Sequence, residues 1–195
     1  MIIMSGAMIS IANFSDALNV KVGILDIPVG KTNSGGPALT IDDPDNEADI
    51  MPMMWHETGI SLFGSYKKFA YSLTASSYLN TFEMLGVAAR TDYRFGDSLR
   101  VGLSGYLGKK CHGMIGREMS DKYSSSCMKY FTMDMDYSVN GFMVDCSMVY
   151  CSDGNCKSLG CEFGYDLMSH TDYNKFHSQI IPFLRYDCET CALPI

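Results

Sequence analysis

From Trp55 onward, apolar and polar residues alternate with a period of two, run after run. Ile60, Leu62 and Tyr66 alternate with Ser61 and Ser65, and Phe69, Tyr71, Leu73 and Ala75 with Ser72, Thr74 and Ser76. Val87, Ala89, Thr91, Tyr93 and Phe95 alternate with Arg90, Asp92 and Arg94; Leu99, Val101, Leu103 and Leu107 with Arg100, Gly102 and Ser104. The same pattern returns over Phe131–Ser138, Phe142–Tyr150 and Leu159–Leu167. Successive strand side chains point to opposite faces, so period two predicts β-strands. Gly96-Asp97 and Asn140-Gly141 between the runs supply tight-turn chemistry. The fold class predicted is all-β and antiparallel, with about ten strands.

Two architectures share this alternation. In a soluble sandwich the apolar face is the core and the other face meets water. In a transmembrane β-barrel the apolar face meets lipid and the polar face lines a wet interior. Three features favour the barrel. The runs are about ten residues long, against the usual five or six, and a tilted strand needs about nine to eleven to cross a bilayer. The connections alternate in length: Ser15–Leu18, Lys67-Lys68, Gly96–Ser98 and Val139–Gly141 are short, Gly30–Met51 and Lys109–Cys127 long and polar, and Asn80–Leu85 intermediate. Aromatic residues recur near strand ends, as in Phe69, Tyr71 and Tyr78, Tyr93 and Phe95, Tyr137 and Phe142, Tyr150 and Tyr186.

Composition narrows the classes further. The 195 residues are 47% hydrophobic and 19% charged, so the chain has enough apolar surface to fold, and disorder is excluded. No run approaches the ~18 to 20 apolar residues of a membrane-spanning helix. A net charge of −7 with no basic stripe argues against nucleic acid as a partner.

The two ends read differently from the middle. Met1–Ala12 is apolar but lacks the basic start and small-residue cleavage site of a signal peptide, and is expected to be a truncated strand. Asn13–Leu18 is expected to be the turn that follows it. Thr190–Ile195 (TCALPI) matches the in-frame translation of a common sequencing adapter, so residues 190–195 are expected to be a library scar. The domain is then an incomplete barrel over 1–189.

Lys21–Gly30 (KVGILDIPVG) resembles a segment that opens a long loop in certain bacterial porins. Ile50–Ile60 (IMPMMWHETGI) is similar to the I-x-P-T-T-W-H-E-x-G stretch of porin-like outer-membrane proteins of Bacteroidota, related to the phosphate-selective porin O and P family. Arg90–Tyr93, Leu99–Gly108 and Ile181–Asp187 continue the resemblance in the family's order, over most of residues 16–187. It implies a porin of the bacterial outer membrane, a passive channel for small polar solutes or ions. Outer-membrane lipid would surround it, with a homotrimer as an open option and no cofactor, metal or enzymatic activity. Members close with roughly sixteen strands, more than the ten here. Ser152–Lys157 is shorter than the matching loop, and the cysteine content is high for the family. The runner-up is a soluble or periplasmic β-sandwich acting as a binding module.

The charges that share the polar parity are the pore-lining candidates: Arg90, Arg94, Arg100 and Arg185, with Asp92, Asp134, Asp136, Asp145, Glu162 and Asp166. Charges in such positions set selectivity in pores. The carboxylates outnumber the arginines, so phosphate specificity is not expected despite the family's name. Parity is ambiguous at Arg185, because Ile180-Ile181 interrupts the alternation. Trp55-His56-Glu57 is expected to place Trp55 at a membrane interface, and adjacent His56 and Glu57, on opposite faces, cannot converge on one ion. Gly30-Lys31-Thr32 echoes the end of a phosphate loop without its glycine spacing. Among eight cysteines, Cys151 and Cys156 flank a turn and could pair across it, lipid-facing or loop thiols being the alternative. Cys188 and Cys191 form a C-E-T-C whose second member falls in the suspected scar.

Overall fold

The computed structural model describes residues 8–31, 50–51, 55–77, 84–109, 127–152, 155–169 and 180–191. They form ten strands: β1 (Met8–Ser15), β2 (Leu18–Asp26), β3 (His56–Tyr66), β4 (Phe69–Ser77), β5 (Met84–Phe95), β6 (Leu99–Gly108), β7 (Met128–Val139), β8 (Phe142–Cys151), β9 (Cys156–Tyr165) and β10 (Phe183–Thr190). All ten join one antiparallel sheet in sequence order, each strand bonded to the one before it. The strands run from 8 to 12 residues. No second sheet exists among the described residues, so the sandwich reading lacks its other layer. β1 and β10 end the sheet without pairing to each other, and the barrel is open.

The turns obey their local chemistry. Asn140 and Gly141 both take positive φ, 50° and 81°, as the tight β7–β8 hairpin requires. Asn13, Phe14 and Ser15, expected in a turn, extend β1 instead, leaving only Asp16-Ala17 between the strands. Ladder bonds Ser10↔Lys21 and Asn13↔Asn19 explain why: the polar residues are held by pairing, which outweighs their turn preference. The alternation of short and long connections holds as far as β8. The β8–β9 connection is then short and the β9–β10 connection long, the reverse of the expected order. β9 stops at Tyr165, before Leu167, because Asp166 begins a turn. Tyr78 and the 190–195 segment beyond Cys191 lie outside the described residues.

Across the middle of the sheet burial is inverted relative to a soluble domain, while an apolar cluster around Ile27, Val29, Ile50, Trp55, Tyr106 and Tyr130 is buried on the inner side. Leu103, Leu107, Phe131, Met133, Leu159 and Phe163 are exposed on one face. On the other, Ser61, Thr74, Arg90, Ser104, Thr132, Asp134, Ser147, Ser158 and Glu162 are buried. One connection does the covering. Both described arms of the β2–β3 loop, residues 27–31 and 50–51, are buried or nearly so and touch β5, β6, β7 and β8 from the polar side. One loop thus lies over the polar side of four successive strands.

Candidate functional site

Strand register brings the inner-face residues into transverse rows. Ala88, Tyr106 and Tyr130 stand side by side on β5, β6 and β7, as do Arg90, Ser104 and Thr132 one step along. The next rows are Asp92, Gly102, Asp134 and Ser147, then Arg94, Arg100, Asp136, Asp145, Glu162 and Arg185. Six of the ten predicted positions therefore form one unbroken row across β5–β10. The parity question at Arg185 is answered by this register: Arg185 pairs opposite Glu162, its Nε 3.8 Å from Oε1 and 2.5 Å from Asp187 Oδ2.

Arg90 and Arg100 organise the centre. The Arg90 guanidinium grips Asp92 through two bonds of 3.0 and 2.8 Å and reaches across β6 to Asp134 Oδ1 at 2.9 Å. Arg100 donates to Asp92 Oδ1 at 2.5 Å, to Asp134 Oδ1 at 2.8 Å and to Asp136 Oδ2. Asp134 is 2% exposed and Arg90 7%, so these charges depend on each other for the solvation that burial removed. Gly102 lies between them: an added Cβ would sit 2.6 Å from both Arg90 Nη2 and Asp134 Oδ1. The absence of a side chain there is what lets the ion pair cross the strand.

The loop arm completes the network. Gly30 N–H donates to Ser104 Oγ at 2.9 Å and to Thr132 Oγ1 at 3.2 Å, while Arg90 Nη1 donates to the Gly30 carbonyl at 3.1 Å. Lys31 Nζ then bridges Asp136 and Asp145. Three cations (Lys31, Arg90, Arg100) thus meet four carboxylates (Asp92, Asp134, Asp136, Asp145). The wall is close to charge-matched, with one carboxylate in excess.

The other arm is held by aromatic packing. Trp55 is 1% exposed, its ring 4.6 Å from Tyr106 and 5.6 Å from Tyr130 in edge-on contacts, and Tyr130 donates to the Ile50 carbonyl at 2.9 Å. This corrects the interfacial placement expected for Trp55. The residue precedes β3, where strand parity does not apply, and the inner side of the sheet offers it an aromatic seat. Its neighbour His56 turns outward and pairs with Asp26 at 2.6 Å. Ile27 and Val29 are fully buried beside it.

Two predicted charges play lesser parts. Arg94 occupies the row at the end of β5 but is exposed there and lies outside the central network. Asp166 is past the end of β9, and its carboxylate accepts from Met168 N–H at 2.9 Å, so it caps a turn rather than facing the network. Lys31 was not among the predicted site residues; its partners lie 105 and 114 positions away, and no local pattern signals them.

Among the cysteines, Cys156 bonds to Cys191, so of the two options left open for Cys151 and Cys156 the pairing across the turn is not formed. Cys151 stands opposite Cys156 in register, and β10 brings Cys191 in from the other side. Among the described residues no group of three or more His, Cys, Asp or Glu side chains is placed to hold a metal ion. No family model, no curated protein and no solved structure matches this chain.

Proposed function

We propose that this chain forms part of the wall of an outer-membrane porin, a passive diffusion channel for small polar solutes or ions. One observation carries the reading: the sheet exposes its apolar face and buries its charged one. Water as the outer medium would make that arrangement unfavourable, because each half-exposed Leu, Phe or Met forgoes roughly 1 kcal/mol, about half the value of full burial. Acyl chains outside and water inside remove the conflict. A band of exposed aromatics at the short-turn end, Tyr66, Phe69, Tyr93, Phe95, Phe142 and Tyr165, fits a headgroup-level girdle. The resemblance of Lys21–Gly30 and Ile50–Ile60 to Bacteroidota porins related to the phosphate-selective family supports the same class.

In this reading the β2–β3 loop narrows the channel, and the inner charges set what passes. Arg90, Arg100 and Lys31 are already engaged by carboxylates, so they offer a permeant phosphate no unneutralised cationic ladder. The channel is accordingly weakly selective, with a slight preference for cations. Lipid tolerates no unpaired strand edge, so the edges at β1 and β10 must meet further strands in the membrane. The β-sandwich binding module remains the alternative class, though one sheet with an apolar exterior gives it little to build on.

The test is direct. The protein extracted from outer membranes in detergent and added to planar bilayers is expected to produce stepwise, ohmic conductance. A product that stays dissolved without detergent and never conducts would overturn the proposal.

A further inference from the structure

We infer that Cys146 and Cys161 form a dithiol–disulfide site that staples β8 to β9 on the outward face of the sheet. The two residues are direct register partners. Their parity is that of Met148, Leu159 and Phe163, which are exposed, and opposite to that of buried Asp145, Ser147 and Glu162. Opposed residues of an antiparallel pair have Cα atoms about 4.5 or 5.5 Å apart, and either spacing lies inside the ~4.4–6.8 Å window of protein disulfides. Neither residue takes part in the Cys156–Cys191 bond, and both lie in central stretches of their strands. The site is therefore independent of the chain's last residues.

Closure needs a disulfide oxidant, of which oxidised glutathione is the simplest. The Cys146 thiolate attacks one glutathione sulfur, forming a mixed disulfide and releasing one glutathione thiol. Cys161 then attacks the Cys146 sulfur, releasing the second glutathione. The two electrons and two protons of the cysteine thiols end on the two glutathione thiols. The geometry stands without the porin reading, whereas an oxidising compartment for the site rests on it.

The experiment folds the full chain into detergent micelles in the presence of oxidised glutathione, so that both thiols meet the oxidant before the outward face is covered, then alkylates it after unfolding and maps it by mass spectrometry. The expected product is a peptide pair joined through Cys146 and Cys161, two hydrogens lighter than the reduced pair, with neither residue alkylated. In a Cys161→Ser chain Cys146 should become fully alkylated, and a Cys151→Ser chain should keep the cross-link. Quantitative alkylation of both residues after folding with the oxidant would overturn the inference, as would a cross-link that vanishes in Cys151→Ser. Conductance is read separately: a non-conducting chain that still forms the cross-link refutes the porin reading and leaves the staple standing.

Discussion

On β5–β8 the outward and inward faces are made of the same alternating strands yet obey different physics. Outward, Leu103, Phe131 and Met133 are exposed, held in place by the strands beneath them and, among the described residues, by nothing above. Inward, Arg90, Asp134 and Thr132 are buried, Arg90 and Thr132 bonded to the loop that covers them and Asp134 to Arg90 and Arg100. The outward face can exchange one apolar residue for another at small cost. On the inward face each charge removed takes a partner from at least one buried or half-buried counter-charge. The lesson is that the inner side of this sheet is ordered by paired charges and hydrogen bonds together with the aromatic cluster around Trp55, while its outer apolar residues stay exposed.

The largest effect should come from breaking the inward face. Arg90→Met removes one of the two cations that hold buried Asp134 and leaves Arg100 to serve Asp92 and Asp134 alone, which should cost about 3 kcal/mol, the lower end for breaking a buried pair. Urea unfolding of the detergent-folded protein, followed through the fluorescence of its one tryptophan, Trp55, reads that loss. A change near zero would mean that water already solvates this part of the wall. Next comes the outward face at mid-strand. Leu103→Arg should lower membrane-folding stability by roughly 2 to 4 kcal/mol, the cost of a cation near the bilayer midplane. The same substitution at Tyr93, two residues from the end of β5, should cost only about 0 to 1 kcal/mol because it sits by the interface. Equal costs at the two positions would contradict the placement of the aromatic band. The smallest change in stability with a clear electrical signature is Lys31→Gln. It uncovers Asp136 and Asp145, and the reversal potential in a salt gradient should move toward cation selectivity.

The strands were legible from the sequence because their signal is local. Two-residue periodicity and turn chemistry such as Asn140-Gly141 mark each strand from within about ten residues. Arg90, Arg100, Asp134 and Asp136 were recoverable as one face for the same reason. What folds over that face was harder. Lys31 finds its carboxylates, and Trp55 its tyrosines, across separations that leave no periodic trace. The β1–β2 turn and the end of β9 were misplaced where ladder pairing or a capping carboxylate outweighed residue preference, at Ser15 and Asp166. The Cys156 partner was missed because a flanking turn suggested Cys151, while β10 delivers Cys191 to the same sulfur.

Spin labels on β7 would test the central claim most directly, placed singly at Met133→Cys and Asp136→Cys in a chain whose other cysteines are serine, folded into lipid vesicles. Met133 faces outward and Asp136 inward. The label at 133 should collide with membrane-dissolved oxygen and be shielded from a water-soluble nickel chelate, and the label at 136 should show the reverse. A label at 133 that meets the chelate as freely as one at 136 would contradict the account, since the apolar face would then be standing in water.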